Sequence, residues 1–356
     1  MGIFVPALPV IDMLDPHARI LSAHGSDHQI VVVSSGIPIK IGGAWFTIAA
    51  DASVDVSGDL DTGSLAAGTD YYVYACYSAG DITFKVSATS TFPSGFDADT
   101  SRKLGGVHTL CADVGTISGH DLSGYLNKDI LPASIWDLRH RPKAEPAGMA
   151  YSDLAGIWVD IYLASGTGAS IASVNGGTIS DTRNWMDFVD DFASVKKQLL
   201  SDVEFQIIAA GSNEETNIVG SADPVTTGGH SDTAGRRMIS NIGCEDCCGA
   251  IWQWLRDQSY RFDGAANHTH QVTVSGDPET VASGNPSGDV APAFVYHNLP
   301  GSKGSLYRQG AYGDIKLRAG GVWDYGASCG SRSRFAASYR WDAASYLGGR
   351  GRSEPL

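Results

Sequence analysis

Cysteine is scarce in this chain, with six in 356 residues. That is too few to staple domains together, so any core must hold by burial alone. Long apolar runs are missing too: no stretch reaches the roughly eighteen residues that a membrane-spanning helix needs. Positive charge is thin, at 25 Lys and Arg against 39 Asp and Glu, a net charge of −14. Nucleic acid is therefore excluded as the main partner, because phosphate binding needs clustered basic residues. No Lys or Arg precedes Arg19, and Pro6 and Pro9 break the opening apolar stretch. Such a start lacks the form of a signal peptide, and the expectation is synthesis and folding in a reducing cytoplasm.

What is present describes an ordinary globular chain: 43% hydrophobic residues, 18% charged residues and 43 glycines. The length suffices for two or three domains. Residues 1–40 read as a short N-terminal β segment with little to bury by itself, expected to assemble with another subunit or anchor the protein. Residues 41–146 read as an all-β, sandwich-like module, because Ala44–Ile48, Tyr71–Tyr77 and Ile82–Val86 are β-branched or aromatic runs between turns. His140–Pro146 carries two prolines and reads as a linker. Residues 147–356 then read as α+β. Trp185, Phe188, Phe192, Val195 and Leu199 recur at helical spacing and predict a helix over about 183–200. Ser201 and Glu204 fit a capping box that opens a second, short helix ending near Gly211.

The last thirty-six residues interleave two kinds of position. Trp323, Gly326, Gly330, Arg332, Arg334, Tyr339, Arg340, Trp341 and the glycines at 348, 349 and 351 are demanding residues expected to form a frame. Trp323 and Trp341 are expected to be buried rings, and the arginines to brace loops through carboxylates and carbonyls. Between them, Val322, Asp324, Tyr325, Ser328, Phe335, Ala337, Ser338, Asp342, Ala344 and Tyr346 follow neither helical nor strand periodicity. A rigid frame around patternless positions is the mark of a binding surface, and tyrosine with small neighbours suits recognition. The alternative is an ordinary core segment, which should show apolar periodicity.

Chemical motifs are few. Gly326–Gly330 matches the Gly-x-Ser-x-Gly elbow of hydrolases, but the last histidine, His297, lies upstream of Ser328 and no helix pattern follows, so catalysis is not expected. Cys244 and Cys247 form a Cys-x-x-Cys without a second pair, which favours buried free thiols over a zinc site. His268 and His270 would share one face of a strand, and a trimer could gather three such pairs around a transition metal. Loop histidines are the commoner outcome, so no metal or other cofactor is expected.

Several blocks resemble the variable proteins of diversity-generating retroelements, above all the phage major tropism determinant family: Thr100–Gly106, Gly156–Leu163, Glu204–Gln206 leading into Gly211–Glu214, Arg236–Cys247, and Gly320–Gly321-x-Trp323 with Gly330–Arg334. The likeness runs from about residue 40 and is strongest in the last hundred and fifty residues. It implies a C-type lectin fold for residues 147–356 with a variable region at 321–347. In that family the region is rewritten by adenine mutagenesis of a template, which yields no Lys, Glu, Gln, Met or Trp at a diversified Asn codon. Between Val322 and Leu347 there is no Lys, Glu, Gln or Met, and the two Trp, Trp323 and Trp341, belong to the expected frame. The resemblance further implies a homotrimeric receptor-binding protein on a virion tail, recognising a host or target cell-surface protein or glycan without entering the membrane. The alternatives are a cellular protein diversified in the same way and, from another class, an enzyme on the formylglycine-generating scaffold. That chemistry needs a reactive pair of cysteines, and Cys329 stands alone. The calcium-ligating signatures of sugar-binding C-type lectins are also missing.

Overall fold

A computed structural model describes residues 18–261, 295–298, 304–308 and 313–356. The chain divides into two compact units, one of residues up to 110 with 128–141 and Leu356, the other of 111–127 with 142–355.

The first unit is all β. Its strands are β1 (Leu21–Ala23), β2 (Ile30–Val33), β3 (Pro38–Ile41), β4 (Ala44–Thr47), β5 (Ala52–Asp55), β6 (Asp70–Ser78), β7 (Asp81–Ser87), β8 (Ser101–His108) and β9 (Trp136–Asp137). They form a β1-β2-β5 sheet, a β3-β4 hairpin and a β7-β6-β8-β9 sheet. Alternation builds the core: Val31 and Val33 on β2, and Ile39 and Ile41 on β3, point inward while Lys40 stays exposed. They meet Val73, Ala75, Val86, Leu104 and Val107 in a single cluster. The break expected at residue 40 therefore falls inside a strand. Residues 20–41 do have something to bury, because they complete the core of this unit rather than waiting for another subunit; residues 1–17 lie outside the described residues.

The second unit adds α1 (Trp185–Ser194), α2 (Asp202–Ile208) and the remaining strands. These are β10 (Met149–Ser152), β11 (Ile157–Asp160), β12 (Ala164–Ser165), β13 (Ala172–Ser173), β14 (Gln198–Leu199), β15 (Trp252–Arg261), β16 (Val295–Asn298), β17 (Ser305–Arg308), β18 (Gly313–Gly320), β19 (Gly330–Tyr339), β20 (Leu347–Gly348) and β21 (Gly351–Ser353). One sheet runs β10-β11-β21-β14 and a larger one β16-β17-β19-β18-β15-β20. Among the described residues the unit is β-rich with two short helices.

Both helices open on capping boxes. Asn184 accepts from the Met186 and Asp187 amides, and Ser201 and Glu204 exchange bonds as the sequence predicts. The first helix is shorter than expected. It stops at Ser194, Lys196 turns at φ +61°, and Gln198 and Leu199 leave as strand β14 to pair with β21. Val195 and Leu199 still pack on the core, which is why helical spacing extends past the helix. From Pro142 onward the expected linker is part of this unit: the Lys143 amide donates to the Glu354 carbonyl at 2.9 Å and the Ala144 amide to Ser353 Oγ at 3.1 Å.

The C-terminal strands are tied down by buried arginines. Arg350 donates to the carbonyls of Asp160 (2.8 Å) and Ile161 (2.6 Å), to Gln253 Oε1 at 3.0 Å and to the Glu245 carbonyl. Arg334 is wholly buried, pairs with Asp202 and covers the ring of Phe205. Both arginines satisfy several orphan acceptors at once, a task suited to a planar fork.

Candidate binding cleft

Register brings the site together. In the larger sheet Trp254 on β15 lies opposite Arg318 on β18, which lies opposite Phe335 on β19. Trp252, two residues from Trp254, faces the same side. Its indole meets Phe335 edge-on at 5.9 Å and Tyr325 edge-on at 5.8 Å. The result is an aromatic floor at one side of the sheet.

The loop from Gly321 to Cys329 closes over one edge of that floor. It leaves β18 through Gly320 and Gly321, both left-handed at φ +95° and +92°. A Cβ at Gly320 would lie 2.3 Å from the Cys247 carbonyl, and one at Gly321 would lie 2.6 Å from Cys329 Sγ, so only glycine fits. Tandem turns follow, with Tyr325 N–H donating to Val322 O, Ser328 N–H to Tyr325 O and Cys329 N–H to Gly326 O. Buried Asn217 clamps the loop from behind by donating to the Trp323 carbonyl and accepting from the Gly326 amide at 3.2 Å. After β19 the chain turns again: Asp342 accepts the Tyr339 amide at 2.9 Å, and Trp252 N–H donates to the Tyr346 carbonyl at 3.0 Å.

These pieces enclose a cleft of about 230 Å³ lined by Trp252, Arg318, Val322, Trp323, Asp324, Tyr325, Phe335 and Tyr346. Five of the ten positions expected to form a binding face, Val322, Asp324, Tyr325, Phe335 and Tyr346, thus share one wall. Asp324 and Tyr346 are exposed, while Tyr325 and Phe335 are half-buried. Val322 was expected at the surface, but it is 3% exposed and packs with the core while still touching the cleft. Ser338 departs further: it is 1% exposed, facing inward opposite Lys316, and does not belong to a surface. Ala344 packs against the same apolar cluster, and Ser328 lends its carbonyl to the Ser333 hydroxyl. Ala337 lies on β19 beside Ser338.

The frame also needs one correction. Trp341 is 56% exposed and lies flat on Tyr339 at 4.8 Å, so it is a surface stack rather than a buried ring. Trp323 is half-buried against the core, and Arg334 braces as expected. Arg340 is exposed.

Trp252, Trp254 and Arg318 were missed. The alternating Trp-x-Trp on a strand was the available signal for the tryptophans. Arg318 is 4% exposed, and the rings of Phe335 (4.0 Å), Tyr346 (5.5 Å), Trp254 (5.7 Å) and Trp252 (5.8 Å) surround its guanidinium. Burial pulls its pKa down to about 10, against the opposing pull of Tyr346 and Asp342. It remains charged at neutral pH.

The thiols are core groups. Cys244, Cys247 and Cys248 are free and buried among Phe205, Ile208 and Leu255, and Cys329 is free and buried behind the loop. Burial pushes the Cys329 thiol up to about 12, so it stays protonated at neutral pH. His268 and His270 lie outside the described residues.

Comparison with known proteins agrees along most of the chain. Residues 22–137 match the family described as the Mtd second domain. A tail fiber receptor-binding protein of Bordetella phage BPP-1 is 27% identical over 346 residues, spanning 88% of this chain and 80% of that one. Among solved structures, the I1 variant of the Major Tropism Determinant superposes with a TM-score of 0.69 at 23% identity, covering 97% of this chain and 85% of its own. The U1 variant gives 0.68 at 23% identity, covering 96% and 85%.

Proposed function

We propose that this chain, a relative of the phage major tropism determinants along most of its length, is a tail-borne receptor-binding protein whose cleft between Val322 and Tyr346 selects the cell surface. One observation carries the reading: five positions without sequence periodicity converge on a single aromatic cleft, while Arg334 between them is buried and Asn217 clamps the loop from behind. Aromatic anchors in a pocket with a polar rim are what dominate binding energy at interfaces. The BPP-1 relative's role as a tail fiber receptor-binding protein supports the setting.

Finer points belong to the same proposal. The second unit is a C-type lectin fold, its long loops displaying a site that retroelement copying rewrites. The protein acts as a homotrimer on the virion tail, where repetition of a modest site gives avidity without new contacts. It binds a host-surface protein or glycan and is not an enzyme. The binding claim is tested by incubating labelled protein with a panel of bacterial strains. Replacing Tyr325 and Tyr346 by Ala should abolish retention on any strain that binds the parent protein and leave the melting temperature within a few degrees. Retention unchanged by the double substitution would move the site elsewhere.

A further inference from the structure

Buried arginines of the second unit are held by a carboxylate or by several oxygens at once: Arg334 pairs with Asp202, Arg237 with Glu245, and Arg350 donates to three carbonyls and Gln253. Arg318 has neither arrangement. It is 4% exposed, has no carboxylate at ion-pair distance among the described residues, and its Nε–H has no hydrogen-bond partner. Four rings pack around it. Ring faces attract a cation but supply no in-plane acceptor, and the Tyr346 hydroxyl, the one acceptor these rings bring, leaves the Nε–H unpaired. A buried, incompletely bonded donor is costly wherever it occurs in a core, and this one lines an open cleft.

The geometry points to Arg318 as the anchor for a glutamate side chain of a protein receptor, its carboxylate taken by the in-plane N–H groups and its methylenes held between the aromatic rings. The inference rests on the receptor-binding reading and names the chemistry of what that site takes. A carboxylate matches the planar fork in shape and charge. A phosphate dianion suits it less, because Asp324 lies in the lining and Asp342 contributes to the field at Arg318. The walls favour a side chain over a sugar acid. They are mostly aromatic or aliphatic, which suits an apolar stem ending in one charged group rather than a ring of hydroxyls, each needing a partner.

The test uses the intact protein and end-capped Gly-Glu-Gly, Gly-Gln-Gly and glucuronate as probes, read by tryptophan fluorescence, since Trp252 and Trp323 line the cleft. The glutamate peptide should give a saturable change, with the glutamine peptide at least tenfold weaker, a difference of about 1.4 kcal/mol. Arg318→Met should erase that preference, with near-ultraviolet circular dichroism reporting the fold. Should that variant fail to fold, the glutamate-to-glutamine comparison on the unaltered protein decides alone. Equal responses to the two peptides, no response to either, or tighter binding of glucuronate overturns the inference. Loss of cell retention in the tyrosine variants alongside equal peptide responses would sink the carboxylate and leave receptor binding standing.

Discussion

Arg334 shows most plainly how single residues hold the C-terminal segment in place. It lies on β19 among predicted binding positions, yet it is wholly buried, pairs with Asp202 at the start of α2, and donates to the carbonyls of Ser331 (3.1 Å) and Ser333 (2.8 Å). Removing it would strand a buried carboxylate. Arg334→Met should therefore destabilise the second unit by about 3–5 kcal/mol, measured by denaturant unfolding, far more than any cleft substitution. His230 offers a second test. Burial opposes its charge, but the hydrogen bond to Asp246 at 3.0 Å and the charges of Asp246 and Glu245 raise its pKa in the fold. A raised pKa contributes stability that is complete below the unfolded-state pKa, near 6.5, and lost as pH rises through the folded value. Melting temperature should fall on that rise, and His230→Gln should flatten that part of the profile. A drop of equal size in the variant would contradict the assignment.

At the scale of elements, legibility followed periodicity. β2, β6, β7 and the capping box of α2 were readable because alternation and capping are local. The end of α1 was not, because Leu199 packs on the same core from a strand. β19 is more instructive. Its pairing with β18 slips twice, so Lys316 faces Ser338 while Arg318, two residues on, faces Phe335. A bulge inserts a residue and breaks the period of two, which makes a half-buried strand look patternless. Patternlessness thus overstated the region's exposure: Val322 and Ser338 face the interior. The excursion of residues 111–127 into the second unit left no local signal at all; His120 accounts for part of it through its 3.2 Å contact with the Ile239 carbonyl. Two substitutions probe this scale. Asn184→Ala removes the acceptor for two amides at the start of α1 and should cost about 1 kcal/mol in unfolding free energy. Gly321→Ala forces a side chain against Cys329 at positive φ and should lower the melting temperature more, whereas Asp324→Ala in the same loop should not.

At the scale of the whole molecule, recognition and stability are assigned to different residues. The likeness in fold to the Major Tropism Determinant variants spans both units at 23% identity. Native mass measurement of the full chain should give three copies; a monomer at working concentration would remove avidity from the account. DNA downstream of the gene should hold a near-copy of the codons for residues 321–356 that differs at adenines. The central claim, that recognition resides in the cleft and stability in its clamps, is tested most directly by one saturation scan of residues 322–346, read in parallel for soluble folding and for retention on a strain that binds the parent protein. The account predicts that substitutions at Asp324, Tyr325 and Tyr346 keep the fold and change retention, while those at Arg334 lose both. Retention indifferent to the cleft positions, or cleft positions as intolerant of change as the clamps, would contradict it.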